Sequence, residues 1–177
     1  MIEQIIVAGA GGQGIMLLGK ILAWAGLKKG YKVSWFPTYG AEVRGGTAHC
    51  MVIISSEDIP SPCIDKADTL IIMNEPSLFK FKQRIRNKGL LLINSSLVNF
   101  TKHTHPNHIY LPFTEAAIKL GNIKVANVIA LGVYIAKKGL FTQQIVFSAI
   151  EQMAPVEKRN LIEINKQAIE EGIRLAR

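Results

Sequence analysis

The chain has 177 residues, 49% of them hydrophobic, and carries 21 Lys and Arg against 13 Asp and Glu, a formal net charge of +8. That length supports one continuous core without disulfides or a structural metal, and the expectation is one domain over 1–177. No apolar run approaches the roughly 18 residues needed to span a bilayer, and the opening MIEQIIVAGA has no basic segment ahead of its apolar one, so a soluble, cytoplasmic protein is expected. Cys50 and Cys63 have no third or fourth thiol with which to form a zinc or iron-sulfur ligand set, and read as reduced thiols in or near the core.

In chain order, QIIVA reads as a strand and is followed by the glycine-rich turn GAGGQG. Gly9, Gly11 and Gly14 satisfy G-x-G-x-x-G, with Gly12 as a fourth glycine, and the segment from about Ile15 to Lys29 reads as a helix. A strand, a tight glycine turn and a helix N-terminus can together present backbone N–H groups to a phosphate. A dinucleotide site would also place an acid at the end of the next strand. Here KVSWF ends on Ser34, Trp35 and Phe36, and no acid comes before Glu42. That counts against NAD and leaves an independent NAD(P)-binding protein as the alternative, with Lys32 available to an NADP phosphate.

The loop PTYGAEVRGG follows, shaped by Pro37, Gly40, Gly45 and Gly46, with Glu42 and Arg44 inside it. The pair reads either as a loop ion pair or as a guanidinium offered to an anion beside closely approaching backbone. TAHCMVII is the next strand, in which His49 reads as a hydrogen-bonded core histidine. TLIIM is another, and a helix opens at Pro76. In KFKQRIRNK, Leu78, Phe81 and Ile85 recur at helical spacing, so the basic residues read as the solvated face of that helix rather than as a nucleic-acid patch. LLLIN and IYLPF are strands; His103, His105 and His108 in the loop KHTHPNHIY lack a Cys or acid nearby and are not read as a metal site.

The remainder is helical: TEAAIKLG with Thr114 as N-cap, NVIALGVYIAKKG, TQQIVFSAIEQM capped by Thr142, and EKRNLIEINKQAIEEGIRLAR after Pro155. Asn127 either caps its helix or bonds to the first glycine loop. The alternation of strands and helices predicts an α/β fold, three-layer and Rossmann-like, with a mostly parallel sheet and a helical C-terminal part.

The segments GAGGQGIMLLGKILAWAGLKKGYKV, PTYGAEVRGGTAHCMVIIS, IPSP, ADTLIIMN and NVIALG together resemble the gamma subunit of 2-oxoacid:ferredoxin (acceptor) oxidoreductases over nearly the whole chain. The resemblance implies assembly with alpha, beta and delta subunits into a complex that decarboxylates a 2-oxoacid on thiamine diphosphate and magnesium. Such a complex passes two electrons through iron-sulfur clusters to ferredoxin and gives the acyl group to coenzyme A. This chain has no thiamine diphosphate motif and too few cysteines for a cluster, so those cofactors are expected in the partners and no catalytic or metal residue is expected here. The resemblance further implies coenzyme A contacts: Gly9, Gly11, Gly12, Gln13 and Gly14 around the pyrophosphate, and Arg44 on a phosphate oxygen between Gly45 and Gly46 and the rest of its loop. Glu42 would orient Arg44 or face the alpha subunit, and Tyr39 would stack on the adenine or brace its loop. No nucleic acid or membrane is expected among the partners.

Overall fold

The computed structural model describes residues 1–38, 47–99 and 107–177. Its sheet has six strands: β1 (Ile2–Ala10), β2 (Lys32–Thr38), β3 (Thr47–Ser55), β4 (Ala67–Ile72), β5 (Ile85–Asn94) and β6 (His108–Leu111), in the order β2-β3-β1-β4-β5-β6. The pairs β1/β4, β4/β5 and β5/β6 are parallel, and β3 runs against both neighbours. Only β3 opposes the other strands, so the mostly parallel sheet expected from the sequence is the one observed. Among the described residues six α-helices complete the fold: α1 (Ile15–Lys28), α2 (Glu75–Phe81), α3 (Phe113–Lys119), α4 (Ala126–Lys138), α5 (Gln143–Met153) and α6 (Ile162–Leu175).

Side-chain alternation along β1 divides the core between two layers. Ile5 and Val7 face one way, into a large cluster with Leu18 and Leu22 of α1, Ile129 and Val133 of α4, and Ile169 of α6. Ile6 and Ala8 face the other way, against Leu78 and Phe81 of α2, with Ile64 and Val98 contributed by loops. One face of the sheet is therefore thickly covered by five helices, and the other is covered by one short helix and loops. At the far edge from the glycine turn, Glu3 is 6% exposed; it accepts from Thr69 Oγ1 at 2.7 Å and pairs with Lys138 Nζ at 2.8 Å, tying the end of α4 to the start of β1.

Several local expectations are corrected. The basic run does not continue as a helix: α2 stops at Phe81, a single 3-10 turn covers Lys82–Arg84, and Ile85 already belongs to β5. Leu78, Phe81 and Ile85 do join one cluster, but Ile85 reaches it from a strand. The β4/β5 register then jumps from Ala67↔Ile85 to Thr69↔Leu90, so residues 86–89 form a bulge in which Lys88 has φ 69°. The charges are not simply solvated. Arg84 donates to the carbonyls of Ile64 and Asp65, while Arg86 donates to Asp68 Oδ1 at 2.7 Å and Gln4 Oε1 at 2.8 Å. Thr114 lies inside α3, whose N-cap is Pro112, because its hydroxyl accepts from Asn94 instead. Thr142 is the N-cap of α5, accepting from Ile145 N. Of the two thiols, Cys50 is buried and burial pushes it up to about 12, whereas Cys63 is exposed, on a loop rather than in the core.

Helices α4 and α6 cross at a glycine pair. A Cβ on Gly172 would overlap the Ile129 carbonyl oxygen, and one on Gly132 would overlap the Ile169 carbonyl oxygen. Backbones in contact leave no room for a methyl group. Gly172→Ala gains up to about 1 kcal/mol of helix propensity but forces the helices apart, and overpacking of this kind costs about 1–3 kcal/mol. The expected net result is a lower midpoint in thermal unfolding; an unchanged or raised midpoint would show that the crossing yields freely.

Candidate functional site

The site lies at the carboxyl ends of β1 and β4, the point from which the chain leaves in opposite directions across the sheet. In open α/β sheets this is where ligands bind. The connection from β1 to α1 takes only four residues. Gly12 has φ +86° and Gly14 has φ +71°, while Gln13 between them keeps a negative φ. The sign of φ thus alternates along the turn, and alternation of this kind lets backbone N–H groups gather around an anion. Gly11 and Gly12 are exposed, and nothing lies within 4 Å of the position where either would carry a Cβ. Among the described residues their N–H groups, and that of Gly14, donate to nothing.

The helix behind this turn strengthens its electrostatics. Gly14 is the N-cap of α1, no side chain caps the first turn, and no acidic residue occupies it. The partial positive charge of a 14-residue helix is therefore unopposed at its N-terminus.

Other glycines and Gln13 serve the shape of the turn. A Cβ on Gly9 would lie 2.6 Å from Gln13 Oε1 and 2.7 Å from Ile15 Cδ1, so this position is closed to ligand and open only to glycine. The Gln13 side chain accepts from Ala10 N at 2.7 Å and donates to the Met73 carbonyl at 3.2 Å. That amide is committed to bracing the loop, and Gln13 N donates to the Ala10 carbonyl at 3.3 Å, so this residue shapes the turn and leaves the open N–H groups to its glycine neighbours. Met73 O also accepts from Asn94 Nδ2 at 3.2 Å, and Asn94, fully buried, engages Thr114 through both amide atoms. Asn127 bonds to the first loop rather than capping its own helix: its Nδ2 donates to Gly14 O at 2.9 Å.

Tyr39, Glu42, Arg44, Gly45 and Gly46 lie outside the described residues, as do His103 and His105. Thr38 and Thr47, which flank the 39–46 segment, are described, and both stand at the same edge of the sheet as the glycine turn. Thr47 pairs with Ala10, and Thr38 pairs with His49. One cation that the sequence reading left on a solvated helix face also reaches this edge: Lys80 Nζ donates to Thr47 Oγ1 at 3.0 Å. Its signal in the sequence was only its place within a basic run. Lys32, by contrast, starts β2 level with Ile2, at the opposite end of the sheet, about 26 Å of strand away from the turn. It pairs with Asp58 and is out of reach of a phosphate held there.

His49 is 8% exposed, as expected for a core position, but it is not the fully hydrogen-bonded histidine the sequence suggested: Nδ1 has no partner among the described residues, and the ring packs on Phe81 at 4.8 Å. Burial first, and then the charges of Lys80 and Arg84, hold its pKa below the ordinary 6.5. Among the described residues, no three His, Cys, Asp or Glu side chains cluster as a metal-ligand set, and no helix is long and apolar enough to cross a membrane.

A family model described as pyruvate ferredoxin/flavodoxin oxidoreductase matches residues 4–175. The ketoisovalerate oxidoreductase subunit VorA of Methanothermobacter marburgensis is 35% identical over 174 residues, covering 98% of this chain and 36% of that protein, so the chain spans about a third of that relative's length. The 2-oxoglutarate synthase subunit KorC of Archaeoglobus fulgidus is 30% identical, with 88% of this chain and 81% of that one covered. Among solved structures, the keto/oxoacid ferredoxin oxidoreductase gamma subunit of Geobacter sulfurreducens superposes with a TM-score of 0.84 at 28% identity, covering 98% of both chains. The 2-oxoglutarate:ferredoxin oxidoreductase of Magnetococcus marinus, solved with 2-oxoglutarate, coenzyme A and succinyl-CoA bound, shares the fold at a TM-score of 0.85 and 23% identity, over 99% of this chain and 31% of that one.

The depressed pKa of His49 carries a pH dependence. Because the folded state keeps the ring neutral while the unfolded chain protonates it near 6.5, stability is fully present above that pH and falls as pH drops below it. Denaturant titrations of wild type and His49→Phe from pH 8 to pH 5 should show a loss on acidification that is smaller in the variant; parallel curves would mean that His49 titrates normally.

Proposed function

Because the chain belongs to the pyruvate ferredoxin/flavodoxin oxidoreductase family and has the fold of its gamma subunits, we propose that it is the gamma component of a 2-oxoacid:ferredoxin oxidoreductase and holds phosphate groups of coenzyme A. The overall reaction converts 2-oxoacid, coenzyme A and oxidised ferredoxin into acyl-CoA, carbon dioxide and reduced ferredoxin. The observation that carries the phosphate role is the turn from Gly11 to Gly14, with positive φ at Gly12 and Gly14 and with the N–H groups of its three glycines unpartnered among the described residues, above an uncapped helix N-terminus. Support comes also from the fold neighbour solved with coenzyme A bound.

In this reading the chain is one domain over 1–177 of a cytoplasmic complex, and its own contribution is binding and assembly. The N–H groups of Gly11, Gly12 and Gly14 cradle the diphosphate, and the first turn of α1 supplies a favourable field. Arg44 brings a guanidinium to a phosphate oxygen from a loop rooted at the same edge, with Glu42 and Tyr39 shaping that loop. An apolar groove of about 260 Å³ runs beside the first two turns of α1, between Leu17, Ile21, Met153 and Leu161, with Lys20 and Lys158 at its rim. It offers room to an uncharged part of a long ligand. Alpha, beta and delta subunits supply thiamine diphosphate, magnesium and the iron-sulfur clusters, and ferredoxin takes the electrons. The strand that would clamp a ribose in an NAD site carries no acid, and Lys32 stands at the wrong end of it, which disfavours the NAD(P) alternative.

Two outcomes are expected. The purified chain alone reduces no acceptor with any 2-oxoacid, thiamine diphosphate and coenzyme A; turnover by the isolated chain would contradict the division of labour. In the assembled complex, Arg44→Ala removes a charge-assisted hydrogen bond of roughly 1.5–3 kcal/mol and raises the KM for coenzyme A about ten- to hundredfold. Gly12→Val, which adds a branched side chain at φ +86°, acts in the same direction by closing the cradle. Melting temperatures control for a lost turn, and an unchanged KM in both stable complexes would reduce the two loops to structural turns.

A further inference from the structure

We propose that Asn127 is the positioning residue of this phosphate cradle: a buried amide on α4 that holds Gly14 in the left-handed conformation from which the cradle's N–H groups take their direction. The inference rests on the reading of the glycine turn as a phosphate site. Gly14 is the hinge of that turn. Its carbonyl begins α1 by accepting from Leu18 N at 3.0 Å, and with φ +71° and ψ 23° it is left-handed where the chain enters the helix. A glycine with no side chain and an exposed loop before it has many other conformations open to it, so something outside the loop must select this one.

Asn127 is placed to do so. It sits in the first turn of α4, 1% exposed, within a helix buried along most of its length. Its Nδ2 fills the second lone pair of the Gly14 carbonyl at 2.9 Å, across 113 residues of sequence. The amide also lies flat against the Gly14 Cα, since a Cβ there would overlap Nδ2 and stand 2.9 Å from Cγ. One interaction thus fixes the carbonyl and blocks any residue but glycine. At the other end of the turn, Gln13 holds Ala10 and Met73. Between these two clamps only Gly11 and Gly12 are open.

A space-filling role does not account for the residue type. Asn127 Oδ1 is buried without a partner among the described residues, an arrangement that destabilises the fold relative to an apolar side chain of similar volume. Among the described residues the amide makes one bond, and that bond ends on the cradle.

The test uses the assembled complex carrying Asn127→Ala or Asn127→Asp. Asp keeps the shape but has no donor and sets a carboxylate against the Gly14 carbonyl and beside the anion's place, so it reports even if the alanine variant fails to assemble. Both variants should raise the KM for coenzyme A, by about five- to tenfold for Ala as one neutral hydrogen bond is lost and by more for Asp. The kcat at saturating coenzyme A and the KM for the 2-oxoacid should hold, a split that a general loosening of α4 would not produce. A KM for coenzyme A within twofold of wild type in the Asp complex overturns the positioning role. If Arg44→Ala and Gly12→Val raise that KM while the Asn127 variants do not, only this inference fails; if none of the four raises it, the phosphate site itself fails.

Discussion

The Met73 carbonyl oxygen accepts two side-chain amides, from Gln13 in the β1–α1 turn and from Asn94 at the end of β5. Met73 N in turn donates to Ala8 O at 2.8 Å, continuing the β1/β4 ladder one residue past its last strand pair. The carboxyl ends of three parallel strands are thereby joined at one point. A turn of four residues, two of them glycines with positive φ, has little to hold it from within, so this shared acceptor, together with Asn127 behind Gly14, determines whether the turn keeps its shape without a ligand. The two open glycines can then meet an anion without first being ordered. A site ordered in advance loses less conformational entropy on binding than one that must be assembled by its ligand.

The two sides of the sheet divide the labour. Five helices on one face bury the large core and carry the glycine crossing of α4 and α6, which fixes α4 and with it Asn127. Among the described residues the opposite face has α2 and loop residues over it, and it is α2 that brings Lys80 to Thr47, which follows the 39–46 segment. Stability is thus concentrated on the side that supports the turn from behind, and positive charge is added from the side that is thinly covered.

All six strands were legible because period-two and continuous apolar runs of β-branched residues were bounded by turn residues, and Thr142 was legible as a cap because hydroxyl capping is a local interaction. The basic run was misread because Leu78, Phe81 and Ile85 satisfy a helical period while a tight turn carries the chain from helix to strand between the last two; periodicity records which side chains share a core, not which backbone brings them there. Thr114 was drawn from the cap position by Asn94, a partner 20 residues away that no local pattern reveals. The glycine turn itself was legible as a motif, but the separate duties of its glycines were not: Gly9 is required by the side chains of Gln13 and Ile15 that fold back on it and by Met73, and Gly14 by Asn127, distant in sequence, whereas Gly11 and Gly12 are the ones left open.

The central claim is that the β1–α1 turn is an anion cradle formed before its ligand arrives. It is tested most directly by following the backbone amide resonances of the ¹⁵N-labelled chain during titration with inorganic pyrophosphate and, separately, with coenzyme A. The account predicts saturable shifts concentrated on Gly11, Gly12, Gly14 and the first turn of α1 with both ligands, and none of comparable size on the lysines of other surfaces. Shifts spread over the basic surface, or resonances of the turn that remain unmoved as either ligand saturates elsewhere, would contradict it.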